Sequence, residues 1–420
     1  MRKGALATVF LVVLIDLIGF GIVLPLLPFY ASQFHASPIA IGFLYSVYSF
    51  AQLIFSPIWG SYSDRVGRRP IMLMSTLGAS AAYLIFAFSH SLGILFFSRL
   101  LAGIMGGNIS TAQAYVADVT THEDRAKGMG LIGAAFGIGF VLGPAISTFL
   151  IHPSFHGFLN HIGLVSVFNW MSQNKYAAPG LFASLLSLTS FLLVLFKLPE
   201  TVKKSEYPDV SRVVKTTIFN KTFWRPIFDQ NRQDQKHFLP LLLLSVLLLS
   251  IGQASLYSSF PLFCQKILNF TAEQVGFQYI YMGIIAVVIQ GGLIRVLIKK
   301  YAEEKLFLAG NILLVIGLTL IPFAKSEWML LLFLGTLSVG GSLNGPTLNS
   351  LVSKKADPLR VGAMMGISQG LSGLGRVIGP TWGGILYALG FRLPFLATAL
   401  VVSFTIWVGL RLRRQLTTVS

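Results

Sequence analysis

Gly60-Ser61-Tyr62-Ser63-Asp64-Arg65-Val66-Gly67-Arg68-Arg69 separates two long apolar segments and puts four charges into its last six residues. Elsewhere charge is scarce: Asp, Glu, Lys and Arg make up 11% of the 420 residues, against 54% hydrophobic residues and a mean hydropathy of +0.72. A water-soluble domain carries about 25% charge, so most of this chain is built for a lipid solvent. Within the turn, Gly60 and Gly67 let the backbone bend and come close to a neighbouring helix. Asp64, Arg65, Arg68 and Arg69 can pair with groups at adjacent helix ends.

Outward from the turn, apolar runs of ~20 residues, the length that crosses a bilayer, recur twelve times. They fall near 6–29, 40–62, 70–89, 91–117, 126–151, 179–197, 237–262, 273–298, 303–324, 326–352, 361–389 and 391–413. The first run is too long for a removable signal peptide and lacks a small-residue cleavage site, so it reads as segment 1. The expected fold is an all-α membrane protein of twelve transmembrane helices.

The net charge of +17 resembles a nucleic-acid footprint only until its distribution is seen. With an even number of spans both termini share a side. The connections on that side hold 26 of the 32 basic residues, including Arg65, Arg68, Arg69 and nine between Lys197 and Lys236. The other side has Lys175, Lys266, Lys325 and Arg392, while Arg99 and Arg376 lie inside apolar segments. The positive-inside rule then puts both termini in the cytoplasm. The expected partners are a lipid bilayer, protons and a small-molecule substrate, with no nucleic acid, and the chain is expected to work as a monomer.

An internal repeat divides the chain. Gly60 matches Gly292, Gly106-Gly107 matches Gly340-Gly341, and Gly143-Pro144 matches Gly379-Pro380, at spacings of 232, 234 and 236. A spacing held at three separate places implies two pseudo-symmetric six-helix bundles. The expected organisation is an N-terminal bundle at 1–198, a polar, basic cytoplasmic linker at 199–236, and a C-terminal bundle at 237–420.

The pattern G-x-x-x-D-R-x-G-R-R at Gly60 to Arg69 resembles the loop between helices 2 and 3 of the major facilitator superfamily. Three further stretches narrow the resemblance to the drug:proton antiporter branch and its tetracycline efflux group: Arg99-Leu-Leu-Ala-Gly103, Ala114-Tyr115-Val116-Ala117-Asp118-Val119-Thr120 with Arg125, and Gly137-x-Gly139-x-x-x-Gly143-Pro144. Asp16 and Pro25 in segment 1 accompany them. Two departures stand out. The segment 5 signature of those antiporters closes with Gly-Gly, where this chain has Ser147-Thr148; the full pattern appears in segment 11, from Gly375 to Gly384. Tetracycline exporters also carry acids within helices 3 and 9, and here 70–89 has none while 304–322 has none beyond its first residue, Glu304. That argues against tetracycline itself as the substrate.

Asp16 is the only acid placed well inside an expected span, about ten residues and so ~15 Å from the inner end. Holding a carboxylate charged there costs ~2.5–3.5 kcal/mol. A group that can be neutral in one environment and charged in another is what proton exchange requires; the plainer reading is an acid hydrogen-bonded within the bundle. Arg99 lies ~10 Å below the outer boundary, within ~5 Å of Asp16 in depth. The resemblance ties this arginine to proton transfer, while bonding to helix-end carbonyls is the structural alternative. Arg376, just before Gly379-Pro380, could favour anionic or zwitterionic substrate groups, or could pack against helix carbonyls.

Asp118, nineteen residues beyond Arg99, falls ~28 Å further along, at the inner face. With Asp64 and Arg68 it is expected to form a gating charge network, joined at the same face by Gly60, Arg65, Gly67, Arg69 and Arg125. Glycines along segment 5, including Gly137, Gly139 and Gly143 before Pro144, suit close helix packing, and Pro144 can open a bend; in the family this segment seals against leak. The repeat supplies Gly375, Arg376, Gly379 and Pro380 in segment 11. Candidate cavity residues are Gln52, Asn108, Gln113, Gln253, Tyr257, Gln278, Tyr281, Asn344 and Gln369, each of which could also be polar glue between helices.

Other chemistry is largely excluded. A lone Cys264 cannot form an internal disulfide. His152, His156 and His161 have no neighbouring acids or cysteines, so no metal site is expected. No G-x-x-x-x-G-K-[ST] motif is present, so no ATP hydrolysis drives transport within this chain, and no cofactor or enzymatic constellation is expected. The resemblance implies a secondary transporter that exports a small amphipathic molecule or drug against inward proton flow, by alternating access; compactness and short loops point to a bacterial inner membrane. The alternatives are metabolite uptake, facilitated exchange, or a receptor or scaffold that kept the fold.

Overall fold

A computed structural model describes residues 3–121, 124–155, 174–202, 238–356 and 361–419. Among these residues the chain forms twelve long helices: α1 Lys3–Gln33, α2 Pro38–Val66, α3 Arg68–Ala87, α4 Leu92–Val119, α5 Arg125–Ile151, α6 Ala177–Lys197, α7 Phe238–Ile267, α8 Ala272–Lys300, α9 Glu303–Phe323, α10 Glu327–Lys355, α11 Val361–Leu389 and α12 Leu393–Val419. Eleven are both long and apolar enough to cross a membrane. The remaining helix, α11, has the length but is diluted by glycines, serines, Gln369 and Arg376. The helices begin and end within a few residues of the expected spans, overrunning them by a turn where polar ends reach past the lipid.

The repeat seen in the glycines returns as repeated local structure. Ser91 Oγ accepts from the Ile94 N–H at the start of α4 (3.3 Å), and Ser326 Oγ accepts from the Met329 N–H at the start of α10 (3.4 Å). Each is an N-cap satisfying an orphan donor of the first turn. Gly143 of α5 meets Gly21 of α1, and its counterpart Gly379 of α11 meets Ala254 and Ser255 of α7. In both places a Cβ would land on backbone or side-chain atoms, so the helix axes approach as closely as a missing side chain permits.

Two compact units emerge. One comprises Met1–Ser37, Val47–Val210 and Cys264–Ile280; the other comprises Pro38–Ser46, Ser211–Phe263 and Tyr281–Ser420. The first unit takes the end of α7 and start of α8, and the second takes the outset of α2. Most of the linker expected at 199–236 lies outside the described residues. The core of the first unit joins Val9, Val12 and Val13 of α1 with Met72, Tyr115, Ile132, Ala135 and Val194 from α3, α4, α5 and α6. That of the second joins Leu239, Leu242 and Leu243 of α7 with Phe307, Leu351, Met364, Ile367 and Val408 from α9, α10, α11 and α12. Large apolar side chains such as Phe149, Phe196, Leu332 and Leu400 point outward, as a lipid solvent allows.

The regular winding fails at two glycine pairs. α4 tightens into a 3-10 turn at Gly106–Asn108, and α8 widens into a π segment at Ile289–Leu293, around Gly291 and Gly292. Both are departures that commonly mark functional positions.

Candidate functional site

The break in α4 would strand backbone carbonyls at mid-membrane depth, which is tolerated only when protein groups take them up. Three consecutive carbonyls are taken up. Trp59 Nε1 of α2 donates to Ile104 O (2.7 Å), Ser75 Oγ of α3 donates to Met105 O, and Gln52 Nε2 of α2 donates to Gly106 O (3.0 Å). Gly103 and Gly107 lie against the α2 backbone near Tyr48 and Ser56, which leaves no room for a Cβ.

What the turn delivers is Asn108, buried, whose Nδ2 donates to Asp16 Oδ2 of α1 at 2.6 Å. The second carboxyl oxygen, Oδ1, is buried and receives no hydrogen bond from the described residues. One face of the Asp16 region is aromatic: Phe20 stacks on Tyr48 (centroids 4.9 Å) and meets Phe140 edge-on (5.8 Å). Behind it α1 is clamped to α5, because Gly139 sits on Leu17, and Gly143 on Gly21. Of the segment 5 glycines, Gly139 and Gly143 make this close approach, whereas Gly130, Gly133 and Gly137 face open space. The expectation that the whole run packs closely holds for these two, which share the face turned toward α1, and for Gly128, which meets Val116 of α4 and Thr120 just past it; it is corrected for Gly130, Gly133 and Gly137.

Arg99 is 2% exposed and lies over the rings of Phe86 (4.8 Å) and Tyr83 (5.6 Å) of α3. The Tyr83 hydroxyl in turn fills the space beside Gly19, one turn along α1 from Asp16. Cation, phenol and carboxyl are thus strung across α4, α3 and α1, with Tyr83 as the middle member that the sequence did not single out.

Between α2 and α3 the charged turn closes on itself. Arg68, nearly buried, reaches Asp64 Oδ1 (2.6 Å), Ser63 Oγ (2.6 Å), Gly60 O (3.4 Å) and, through Nε, Asp118 Oδ2 of α4 (3.1 Å). Gly67 adopts φ +107°, a region favouring glycine, to reverse the chain between α2 and α3. Glu200, just past α6, was missed by sequence reasoning and belongs here. Its carboxylate accepts from the backbone N–H groups of Arg68 (3.0 Å) and Arg69 (3.1 Å), which caps α3. Around it, Arg69 donates to Leu195 O (2.7 Å), Tyr115 Oη to Pro199 O (2.9 Å), and Thr201 Oγ1 to Asp118 Oδ2 (3.0 Å). A carboxylate at a helix start complements four orphan N–H donors and the positive dipole end; a single acid after an apolar run carries no such signal in sequence. Arg65 is half-buried, and Arg125 opens α5.

The second unit answers these features differently. Asn344 Nδ2 donates to Asn311 Oδ1 (3.0 Å) and Asn311 Nδ2 to Phe307 O (2.9 Å), so Asn344 is polar glue between α10 and α9. Gly310, Gly317 and Gly340 bring those helices together. Where α9 begins and α10 ends, Lys354 Nζ meets Glu303 Oε1 (2.9 Å), and Ser350 donates to the same carboxylate. Of the other cavity candidates, Gln113, Gln253 and Gln369 are exposed, Tyr257 and Tyr281 half-buried, and Gln278 buried. In α11 Gly375, Gly379 and Gly383 press on α7, while Gly384 presses on Pro38 and Gly42 of α2, and the Pro380 carbonyl accepts from Ser258 (2.8 Å). Cys264 is buried. His152 accepts a backbone bond from Ser154 (3.1 Å), and His156 and His161 lie outside the described residues. No cluster of metal-ligating side chains occurs among the described residues.

Comparison with known proteins agrees with this architecture. The family model described as Major Facilitator Superfamily matches residues 9–305 and 293–418. The class B tetracycline resistance protein of Escherichia coli is 30% identical over 385 residues, covering 90% of this chain and 86% of its own. Multidrug resistance protein 2 of Bacillus subtilis (strain 168) is 28% identical over 404 residues, covering 94% and 92%. Among solved structures, the human organic anion transporter MFSD10 (TETRAN) superposes with a TM-score of 0.68 at 24% identity, covering 97% of this chain and 99% of its own.

Proposed function

The chain belongs to the major facilitator superfamily, and from that premise we propose that it exports a small amphipathic molecule by alternating access, driven by protons entering through Asp16. It is an integral multi-pass membrane transporter, with relatives that are transporters, not enzymes. The observation that carries the proton reading is the Asn108–Asp16 bond. The one mid-span acid of the chain is held by a neutral amide at the α4 break, with its other oxygen buried. An amide partner can serve both forms of a carboxyl group, donating to the charged form and accepting from the protonated one through its own oxygen. A fixed cation at that point would commit the acid to one charge; here Arg99 is packed on Tyr83 and Phe86 of α3.

Direction follows from kinship with proteins named for tetracycline and multidrug resistance. Tetracycline is not the substrate assigned, because α3 has no acid and α9 has Glu303 and Glu304 only in its first turn. The excess of Lys and Arg on one side supports cytoplasmic termini in a bacterial inner membrane, and the protein works as a monomer of two six-helix bundles. The Arg68–Asp64–Asp118 network, anchored by Glu200, is the inner gate.

The test is proton movement in proteoliposomes carrying a pH-sensitive dye, with lipophilic cations, zwitterions and anions added. Substrate-dependent flux that disappears in Asp16→Asn supports proton antiport. Substrate movement without proton movement, equal in both proteins, would replace antiport by facilitated exchange.

A further inference from the structure

We infer that the transported molecule carries an anionic group, a carboxylate or its like, and that Arg376 of α11 is the residue that receives it. This rests on the transport reading above and adds the charge class of the substrate. Gln369, Ser372 and Arg376 stand at i, i+3 and i+7, on one stripe of the helix. Beside the stripe runs α7, pressed close because a Cβ on Gly375 would come within 2.5 Å of the Ser250 Cβ. Ser250 Oγ donates to Ser372 Oγ (3.1 Å), and an Arg376 guanidinium nitrogen donates to the same Ser372 oxygen (3.2 Å). Tyr257, one further stretch along α7, lies within electrostatic reach of Arg376, and its ring is 6.0 Å from that of Tyr45.

The group so assembled is a half-buried guanidinium at the shared Ser372 and Ser250 hydroxyls, with the Tyr257 phenol within its electrostatic reach. The described acids from 238 onward, Glu273, Glu303, Glu304 and Glu327, all fall in the first turns of α8, α9 and α10, while Arg376 lies at the middle of α11. A planar guanidinium fork matches a carboxylate with two parallel hydrogen bonds, and is less strongly hydrated than an ammonium group. In a low-dielectric setting its charge discriminates far more than in water: it attracts an anion and repels a lipophilic cation of the same shape. The neighbouring phenol rings suit an aromatic body behind the anionic group.

The experiment uses the purified full chain in detergent with three probes of one shape: 2-naphthoate, 2-naphthamide and 2-naphthylmethylammonium. Binding is read from the ligand-dependent rise in melting midpoint. The expected result is naphthoate binding at least ~10-fold tighter than naphthamide, as a charge-assisted bidentate pair gives, with the ammonium weakest. Arg376→Gln should remove that preference and leave naphthamide unchanged. Absence of a naphthoate preference in the wild type, whether the three bind alike or none binds, overturns the assignment, as does a preference that survives in Arg376→Gln. Should Arg376→Gln fail to fold, Arg376→Lys decides: a fall in naphthoate affinity with naphthamide unchanged supports the assignment, and unchanged naphthoate affinity sinks it. No gradient enters this measurement, so its failure is told apart from a failure of the proton reading, which the dye assay reports.

Discussion

α4 and α10 are two copies of one design that ended with different chemistry. Both open on a capping serine, both carry a glycine pair in mid-span, and both end in an ion pair with the start of the helix before them. In α4 the pair Gly106-Gly107 breaks the helix and hands Asn108 to an acid; in α10 Gly340-Gly341 stays α-helical and Asn344 meets another amide. In the ion pairs that end α4 and α10 the polarity is reversed: Arg68 to Asp118 in one unit, Glu303 to Lys354 in the other. The helix–helix scaffold tolerates either sign and either side chain. What the duplication did not copy is the ionisable group: α7, the counterpart of α1, has no acid along its length.

The sharpest way to break this comparison is to remove the acid from one copy and the amide from the other. Asp16→Asn is expected to reduce substrate-driven proton flux in proteoliposomes to that of empty vesicles. Asn344→Leu should keep the flux and lower thermal stability in detergent by ~1–3 kcal/mol, the cost of leaving Asn311 Oδ1 without its donor. Equal loss of flux in both would mean that the two units share the coupling.

Next in size is exchanging the signs of the ion pairs. Arg68→Asp with Asp118→Arg should cost ~3 kcal/mol or more, because an acid at 68 would face Asp64 and Glu200 in a nearly buried position. Glu303→Lys with Lys354→Glu is expected to cost less, ~1–2 kcal/mol, since the Lys354 side chain is 65% exposed although Glu303, at 10%, loses its bond from Ser350. Melting curves of the two double variants give the answer, and similar losses would erase the asymmetry.

The turns before α3 and α9 offer a smaller contrast. Gly67→Ala forces an alanine into φ +107° against the Glu200 carboxylate and should cost ~1–3 kcal/mol. Ala302→Gly, in a turn with ordinary φ of −59°, should cost no more than ~1 kcal/mol. The least effect is expected from Lys354→Ala alone, at ~0–1 kcal/mol for an exposed lysine whose partner keeps its bond from Ser350; a larger loss would show that the second unit's ion pair matters as much as the first's.

Much of this was legible beforehand. The twelve spans, the repeat, the charged turn and the isolation of Asp16 all follow from local properties: hydropathy over ~20 residues, glycine spacing and the scarcity of charge. Segment 5 was read too generously, because spacing alone does not say which glycines turn toward a neighbour; Gly139 and Gly143 do, and Gly137 does not. Glu200 was missed because the donors it caps are 131 and 132 residues away in the chain.

The sequence by itself determined that this protein lives in a membrane, that it is built twice over, and where its rare charges fall along each span. Those follow from transfer free energies, which each segment carries alone. Only the tertiary structure decided that Asn108 donates to Asp16, that Trp59, Ser75 and Gln52 mend the break in α4, and that the Ser372 hydroxyl bonded by Arg376 is shared with Ser250 of α7. Each joins groups from different helices. Which polar atoms meet is fixed by helix rotation and close approach at glycines, which no single segment specifies.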